Sequence, residues 1–447
     1  MQKEENVVPV TERNLTPKAL FYNWFAANIG IMGFVYGAII VSYHLSLAQA
    51  LLAALIGALS FVFPGFIAVI GQKNGITTFK LSRVAFGRQG NKIPNLIAWF
   101  NMVGWLAVNV VTGTLLFVAM LQTLHLPKNS FTILGCLVVF GGLIIGSGFL
   151  NETLLAKLQS LISWIFGIAT LIIFLFFVGK TQWPKALAMT HGSWSAGFWP
   201  AVSIIAAGSG ISWSMAAADW GAYVQPQIKH GRTFWSTTLG GALPLFILMV
   251  GGIFLSTSAP NLATSSDPYR IMYGVLPTWM GLFYFLVAAG GLVPQCMISF
   301  RSARINLQTL GIKTSQLSSL ILHSLLVLGI ASYVLFVAQD FLSSFELFLN
   351  FLGICLVTWL AVFLCDYLFY RRQGYDLALL QIHYRWRSII VWLLATSSGL
   401  LFTNNAVWQG PFARGVFRDN SLGVFVAGFF ALFLMGLIYL IDQRYRK

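Results

Sequence analysis

Twelve long apolar stretches fill the chain between Phe21 and Ile441, and the polar residues lie mostly between them. A helix needs about 20 mostly apolar residues to cross a bilayer. A spanning β-barrel would instead show strands of about ten residues with alternating polarity. Charged residues make up 9% of the chain, against about 25% in a soluble domain. The sequence therefore predicts an all-α polytopic membrane protein with twelve transmembrane helices.

The predicted spans follow one another with short loops. They are 20–42, 48–71, 93–123, 131–149, 158–179, 198–220, 235–257, 280–300, 318–338, 346–369, 388–403 and 421–440. We interpret 18–441 as a single membrane domain. The polar segments 1–17 and 442–447 are predicted to be its N-terminal and C-terminal tails.

The distribution of basic residues predicts the orientation. If both termini are cytoplasmic, 21 of the 27 Lys and Arg residues fall on the cytoplasmic side, where loops keep an excess of them. We therefore expect a multi-pass protein of the cell membrane (inner or plasma membrane). The net charge of +15 then reflects topology and attraction to anionic lipid. It does not indicate nucleic-acid binding, and no obligate protein partner is evident.

Two predicted helices carry Gly and polar residues that are unusual at membrane depth. The first contains Asn28-Ile29-Gly30, and the sixth contains Gly208-Ser-Gly-Ile-Ser-Trp213. Transporters often place their binding site where two such helices are broken at the bilayer midplane. Glycine also allows helices to pack closely, and for the first helix both interpretations stay open. For the sixth helix, the polar neighbours favour a break that lines a cavity.

The third predicted helix places Asn101, Trp105 and Asn109 on one face, because they are spaced four residues apart. An indole flanked by carboxamides suits a flat, uncharged heteroaromatic ligand, which stacks on the ring and pairs with the amides, as Asn pairs with adenine edges. The same spacing is equally typical of a core Trp beside an interhelical Asn hydrogen bond. Spacing alone does not separate the two.

Three carboxyl groups lie within or at the ends of predicted helices. Asp219 is at the inner end of the sixth helix, Asp366 is near the inner end of the tenth, and Glu346 begins the tenth on the outer side. Ionisable groups at membrane depth are costly and often functional, so all three are candidates to carry a coupling proton. All three are also close enough to helix ends for a purely structural role.

Four motifs occur in order along the first half of the chain. They are Asn23-Trp-Phe-Ala-Ala-Asn28, Ser82-Arg-Val-Ala-Phe-Gly87, Gly104-Trp-Leu-Ala-Val-Asn109 and Ser212-Trp-Ser-Met-Ala-Ala-Ala-Asp-Trp220. Together they resemble the patterns of the nucleobase/cation symporter family, type 1. The third motif looks like that of its purine-cytosine permease branch.

The resemblance implies a LeuT-type core of two inverted five-helix repeats, at 18–179 and 198–369, with two additional helices at 388–440. It also implies alternating access. The substrate would be a nucleobase held between Trp105 and Trp213, with Asn109 hydrogen-bonded to the base.

The resemblance also extends to the sixth and eighth helices. Ser209 and Gly210 match an unwound stretch beside the substrate, and Asn28 at the predicted break of the first helix joins the same candidate set. Gly291 and Pro294 fall where the branch has an Asn-x-x-Pro segment. Gly therefore replaces Asn here, and the contact is either missing or supplied by Gln295.

The eighth helix also bears on the coupling ion. Sodium-coupled members of this fold are expected to use adjacent hydroxyls there, because hard cations need oxygen ligands. The stretch Leu286-Val-Ala-Ala-Gly-Gly-Leu-Val-Pro-Gln-Cys-Met-Ile-Ser299 has no adjacent hydroxyl pair, so we favour H+ over Na+. We find no catalytic motif such as His-Glu-x-x-His or Gly-x-Ser-x-Gly, and expect no enzyme activity, cofactor or metal site.

We therefore predict a secondary active importer of a purine or pyrimidine nucleobase of the cytosine, adenine or hypoxanthine type, driven by proton symport. The main alternative is a symporter for another flat heterocycle, such as a hydantoin, allantoin or a thiamine-precursor pyrimidine, with sodium-coupled or facilitative transport. A remote alternative is a membrane receptor that binds without transporting. The sequence does not name the base.

Overall fold

The computed structural model describes residues 7–147, 152–372, 374–405, 407–418 and 422–445. Residues 1–6 of the predicted N-terminal tail, 148–149 of the fourth span, 421 of the last span and 446–447 of the C-terminal tail lie outside this description. Within it, the chain folds almost entirely into helices, and its extended pairings are two isolated bridges. The predicted all-α class is confirmed.

The first half of the chain contains nine helices in the part described. They are α1 (Pro17–Asn28), α2 (Met32–Ser42), α3 (Leu47–Leu59), α4 (Val62–Asn74), α5 (Thr78–Phe86), α6 (Lys92–Thr123), α7 (Ser130–Ser147), α8 (Glu152–Lys180) and α9 (Trp183–Leu187).

The described residues of the second half form another nine α-helices. They are α10 (Trp199–Ala206), α11 (Ala217–Gly221), α12 (His230–Ser256), α13 (Pro268–Val275), α14 (Thr278–Leu310), α15 (Gln316–Ser332), α16 (Phe341–Tyr370), α17 (Trp386–Leu401) and α18 (Gly423–Tyr445).

Nine helical segments among the described residues are long and apolar enough to cross a membrane. The bent pair α1 and α2 adds a tenth. Two shorter apolar helices, Trp164–Lys180 and Trp386–Leu401, coincide with the predicted fifth and eleventh spans. The protein is therefore an integral membrane protein, while the count of twelve and the division into inverted repeats stay predictions.

The long helices pack in two groups. The first group comprises α1–α4 with α10–α12, in which α12 contacts each of α1, α2, α3 and α4. The second group comprises α6, α7, α14 and α15, in which α6 contacts the other three. Helix α16 contacts α6 and the sixth span, while α17 and α18 pack against α16. The candidate site lies where α16, α6 and the first group meet.

Glycine permits the closest approach inside the first group. A Cβ at Gly37 of α2 would collide with the carbonyl oxygen of Met249 on α12, and a Cβ at Gly252 would collide with the carbonyl of Phe34. Because backbone atoms occupy these positions, no change of side-chain rotamer makes room. The α2–α12 contact therefore depends on small residues, as is common between membrane helices.

We expect Gly37→Ala to lower the thermal unfolding midpoint in detergent, because α2 and α12 must separate at a cost of about 1–3 kcal/mol. Gly142→Ala is the matched control, since a Cβ at Gly142 meets no atom of the described structure within 4 Å. Both changes raise helix propensity equally. Equal midpoints for the two variants would contradict the proposed close contact.

Candidate functional site

The first span is broken at the predicted position. Helix α1 ends at Asn28, α2 begins at Met32, and their axes differ by 59°. The Asn28 side chain donates from Nδ2 to the Trp24 carbonyl at 2.8 Å, so its amide nitrogen is bound within α1. Of the two interpretations left open for this helix, the structure shows the break, and Gly30 at the break lies next to Gln295 of α14.

The sixth span differs from the prediction of an open break. It runs as one helical segment, Trp194–Gly221, with a π-helical turn at Ala207–Ile211 and a 3₁₀ turn at Ser214–Ala216. Such π turns are frequent at functional sites. The unwound stretch expected here is therefore replaced by two irregular turns, because neighbouring helices supply hydrogen bonds to the altered backbone.

Ser209 and Gly210 belong to this π turn and lie against the second span. The amide of Gly210 donates to Ser60 Oγ at 3.1 Å, and the Ser60 and Ser209 hydroxyls are 3.2 Å apart. On the other side, the Tyr36 hydroxyl donates to the Gly208 carbonyl at 3.1 Å. These contacts give Ser209 and Gly210 a structural role between helices.

Trp105 is held by one hydroxyl of the sixth span. Its Nε1 donates to Ser212 Oγ at 2.8 Å, and Asn101 Nδ2 donates to the same oxygen at 2.9 Å. The Ser212 hydroxyl donates in return to Asn101 Oδ1 at 3.0 Å. The Asn101–Trp105 face predicted from spacing thus forms a connected network, and it joins α6 to the sixth span.

Aromatic rings surround both predicted indoles. Phe345 and Phe348 of α16 meet the Trp105 ring edge-to-face, at centroid distances of 5.7 and 6.0 Å. Trp213 meets Trp24 edge-to-face at 5.7 Å. We find no ring contact between Trp105 and Trp213 among the described residues. The two indoles therefore flank Ser212 without forming a closed stack.

Two further carboxamides of the candidate set, Asn109 and Gln295, lie on α6 and α14. Asn109 is 3% exposed, and its Nδ2 has no hydrogen-bond partner within the described chain, although the Cys296 thiol lies beside it. Gln295 Oε1 lies 3.4 Å from the point where a Cβ of Gly30 would stand, so α14 reaches the break of the first span. A buried amide nitrogen such as Asn109 Nδ2, which makes no hydrogen bond of good geometry within the described residues, is uncommon and calls for an explanation.

Gly291 and Pro294 occupy different settings on α14. A Cβ at Gly291 would collide with the Phe166 ring, so this glycine allows α8 to pack against α14. Pro294 is buried inside the helix, where its missing N–H leaves the carbonyl of Gly290 without its usual helical donor. Gly291 is thus a packing position, while Pro294 removes one helical hydrogen bond next to Gln295.

Asp219 anchors α5 at the end of the bundle that is rich in basic residues. Its Oδ1 accepts from the Thr78 amide at 3.0 Å, and Thr78 Oγ1 accepts from the Ala218 amide at 3.1 Å. Its Oδ2 is buried and has no hydrogen bond in the part of the chain described. The Arg301 guanidinium nearby lies over the Trp220 ring, at 4.5 Å.

The other two carboxyls are remote from this contact. Asp366 lies 3.8 Å from Arg371 near the end of α16. Glu346 does not begin the tenth helix as expected, because Asp340 caps that helix and α16 starts at Phe341. Glu346 therefore lies more than one turn inside α16. No carboxyl among the described residues hydrogen-bonds to Trp105.

Sequence reasoning missed several residues of this site. The sequence places Ser212 within a motif but assigns it no contact, and no pattern assigns a role to Phe345, Phe348 or Tyr36. Phe345 and Phe348 do share a helix face at a spacing of three residues. With 38 Phe and 14 Tyr in the chain, such a pair carries little signal, and only the fold brings it to Trp105.

Comparison with known proteins identifies the family. The family described as permeases for cytosine/purines, uracil, thiamine and allantoin matches residues 7–426. The chain belongs to this permease family. It is accordingly a membrane transport protein and not an enzyme.

Individual relatives agree with this assignment. The Bacillus subtilis protein YxlA, whose name describes a purine-cytosine permease, is 26% identical over 436 residues, covering 91% of this chain and 89% of that protein. The purine-cytosine permease FCY2 of Saccharomyces cerevisiae is 24% identical over 393 residues, covering 83% and 71%. The fold is similar to that of Mhp1, a nucleobase-cation-symport-1 family transporter, in a closed conformation with bromovinylhydantoin bound. That match has a TM-score of 0.72 at 16% identity, covering 98% of this chain and 94% of Mhp1.

The Ser212 network predicts a specific loss of stability. Ser212→Ala removes the acceptor of two buried donors, Trp105 Nε1 and Asn101 Nδ2, and we expect a cost of about 1–3 kcal/mol. The measurement is the thermal unfolding midpoint in detergent. Ser214→Ala is the control, because within the described residues the Ser214 hydroxyl donates to the Gly210 carbonyl of its own helical segment. If both variants unfold at the same temperature, the network does not stabilise the fold.

Proposed function

We propose that this protein is a secondary active importer of a purine or pyrimidine nucleobase, of the cytosine, adenine or hypoxanthine type, that works by alternating access. Family membership and relatives named as purine-cytosine permeases support the substrate class. The observation that carries the proposal is the buried Asn109 Nδ2, whose polar neighbour among the described residues is the weakly hydrogen-bonding Cys296 thiol, one helical turn from a Trp105 ring that is fixed by Ser212.

The chemistry of a nucleobase suits this arrangement. A base presents π faces and a hydrogen-bonding edge, and base–aromatic stacking contributes about 1–3 kcal/mol per base. Trp105 is the stacking candidate, and the amides of Asn109 and Gln295 are the edge-reading candidates. Phe345 and Phe348 of α16 contact the Trp105 ring edge-to-face, and they would lie beside a base stacked on it.

Trp213 contributes less to base stacking than Trp105 in this proposal, because it has no ring contact with Trp105 among the described residues. Its ring is 2% exposed and rests on Trp24 of α1, close to the break. Stacking by both indoles therefore requires a movement of the sixth span relative to α6. Asn28 is part of the same region but already donates to Trp24, so we place it beside the site and not among the main base-reading groups.

Binding by purified protein tests this assignment. We expect Trp105→Ala to abolish saturable binding of radiolabelled nucleobases, and Asn109→Ala to weaken it roughly tenfold, as loss of about one buried hydrogen bond would do. The measurement is a scintillation proximity assay with cytosine, adenine, guanine, hypoxanthine and uracil.

Thr114→Val provides the control, because the Thr114 hydroxyl is also buried on α6 but bonds to its own helix at the Val110 carbonyl. Its affinity should equal that of the unmodified protein. Full retention of affinity by folded Trp105→Ala protein would refute the stacking assignment, and an effect of Thr114→Val equal to that of Asn109→Ala would refute the amide assignment.

We further propose that transport is coupled to protons and that Asp219 carries the coupling proton. Its free Oδ2 is buried, while its Oδ1 holds the start of α5. Protonation at Oδ2 would leave the Thr78 hydrogen bond in place. A change of charge at this carboxyl would therefore alter the electrostatic interactions between the sixth span, α5 and α14.

Sodium coupling is the second candidate, and one observation favours it. The hydroxyls of Ser299 and Ser302 on α14 are buried and make no hydrogen bond of good geometry in the described structure. The Ser302 side chain lies beside the Asp219 carboxyl. Hydroxyl and carboxylate oxygens are the ligands that a hard cation needs. The Ser299 and Ser302 hydroxyls lie towards the predicted inner end of α14. They are three residues apart, and so differ from the adjacent hydroxyl pair expected of a sodium site in this fold.

Asp219→Asn separates the two couplings. An amide keeps an oxygen for the Thr78 N–H but does not titrate, so we expect base binding to persist while accumulation driven by a proton gradient is lost. The measurement is uptake into proteoliposomes with proton and sodium gradients imposed separately. Ser302→Ala should leave proton-driven uptake unchanged. Accumulation driven by sodium alone, and weakened by Ser302→Ala, would establish the second candidate instead.

Another flat heterocycle remains the alternative substrate. The family description includes thiamine and allantoin, and the similar Mhp1 structure contains bromovinylhydantoin. Competition of labelled base by hydantoin, allantoin and a thiamine-precursor pyrimidine distinguishes these substrates.

We also propose that both termini are cytoplasmic, in agreement with the excess of basic residues at that end of the bundle.

A further inference from the structure

A cavity of about 480 Å³ lies where the ends of α16 and α18 meet the start of α17. Three arginines and two aspartates line it, together with aromatic and aliphatic side chains. The charged residues are Asp366, Arg371, Arg385, Arg387 and Asp442. This is the basic end of the bundle, far along α16 from Phe345 and Phe348. The cavity is therefore separate from the candidate nucleobase site.

One pair of these charges is already satisfied and forms part of the cavity wall. Arg387 Nη1 donates to Asp442 Oδ1 at 2.7 Å, and the Tyr370 hydroxyl donates to Asp442 Oδ2 at 2.9 Å. These bonds hold α16, α17 and α18 together. They leave the other two arginines as the source of excess positive charge.

Arg371 and Arg385 have incomplete hydrogen bonding. The Nε atoms of both are buried, and neither makes a hydrogen bond within the described residues. The nearest carboxylate contact, from Arg371 Nε to Asp366 Oδ2, is 3.8 Å, which is too long for a hydrogen bond. Two guanidinium groups thus face one carboxylate across a cavity that has room for an additional anion.

Arg385 interacts electrostatically with both Asp366 and Arg371. Burial is the main cause of the lowered pKa of the Arg385 guanidinium; Asp366 opposes this change, and Arg371 adds to it. An anion between Arg371 and Arg385 would reduce the repulsion between the two guanidinium groups.

The surroundings of the cavity are those of a membrane surface. Trp386 at the start of α17 is 62% exposed and stacks on Tyr384 at a centroid distance of 5.0 Å. Such aromatic residues typically lie at the level of lipid headgroups. Ile390 and Leu394 follow Trp386 at intervals of four residues and are also exposed. They continue one apolar face of α17 away from the cavity.

We propose that this cavity binds the phosphate of an anionic phospholipid, with Arg371 and Arg385 as its ligands and the acyl chains along the exposed face of α17. Arginine recognises phosphate through pairs of parallel N–H···O bonds. Basic pockets between membrane helices are known to hold lipid headgroups. A soluble anion shares the phosphate chemistry but would make no use of the apolar face beneath Trp386.

Native mass spectrometry of the full-length protein in detergent tests this proposal, with chain-matched phosphatidylglycerol and phosphatidylcholine as probes. We expect phosphatidylglycerol to be retained preferentially. The double variant Arg371→Gln/Arg385→Gln should weaken its apparent affinity roughly tenfold and leave phosphatidylcholine unaffected. Arg372→Gln/Arg444→Gln is the control, because it removes the same charge from exposed residues that do not line the cavity.

Each other outcome counts against the proposal. Equal loss in the control pair would indicate general charge attraction and not a site. Equal retention of the two lipids would exclude headgroup recognition. Displacement of phosphatidylglycerol by millimolar inorganic phosphate, which also raises the unfolding midpoint without lipid, would assign the cavity to a soluble anion. If the double variant does not fold, Arg385→Lys should still weaken retention, because it keeps the charge but loses the planar fork.

Discussion

The hydroxyl of Ser212 holds the sixth span and α6 in one relative position, and the aromatic site depends on it. It uses its full hydrogen-bonding capacity, because it accepts from Trp105 and Asn101 and donates to Asn101. In an interior of low dielectric, water does not replace such bonds when they break. The plane of the Trp105 ring is therefore set by a residue of the other helix group. Any movement between the two groups must break these bonds or carry the ring with it.

The irregular backbone of the sixth span is also stabilised by hydrogen bonds from side chains of neighbouring helices. In a bilayer, every backbone donor and acceptor needs a partner inside the protein. The π turn of the sixth span is possible because Tyr36 donates to its carbonyl at Gly208 and Ser60 accepts from its amide at Gly210. These two side chains come from the first and second spans. The sixth span is thereby hydrogen-bonded to both the first and the second span, and these bonds hold the first group of helices together.

The sequence predicted the all-α class and the face that carries Trp105, because both depend on local spacing. It left a break at Asn28 open against close packing of the first helix, since glycine is typical of both. It did not predict the form of the irregularity at Gly208, since that depends on whether Ser60 and Tyr36 reach the freed backbone groups. Gly291 shows the same limit. A glycine in a helix is equally typical of a binding site and of packing, and only the position of Phe166 on α8 identifies the packing role.

The buried carboxylates show why charge patterns alone do not assign roles. Asp219 and Asp366 are the same residue type at similar distances from helix ends, and both are buried. Asp219 accepts from a backbone amide and keeps one free oxygen, whereas Asp366 faces two arginines and receives no hydrogen bond at Oδ2. The first arrangement suits a group that changes protonation while holding its contact. The second arrangement leaves Arg371 Nε and Arg385 Nε without hydrogen bonds in the described structure, and both arginines line the cavity between α16, α17 and α18. Basic residues at this end of the bundle therefore have local surroundings that a count of charges per loop does not reveal.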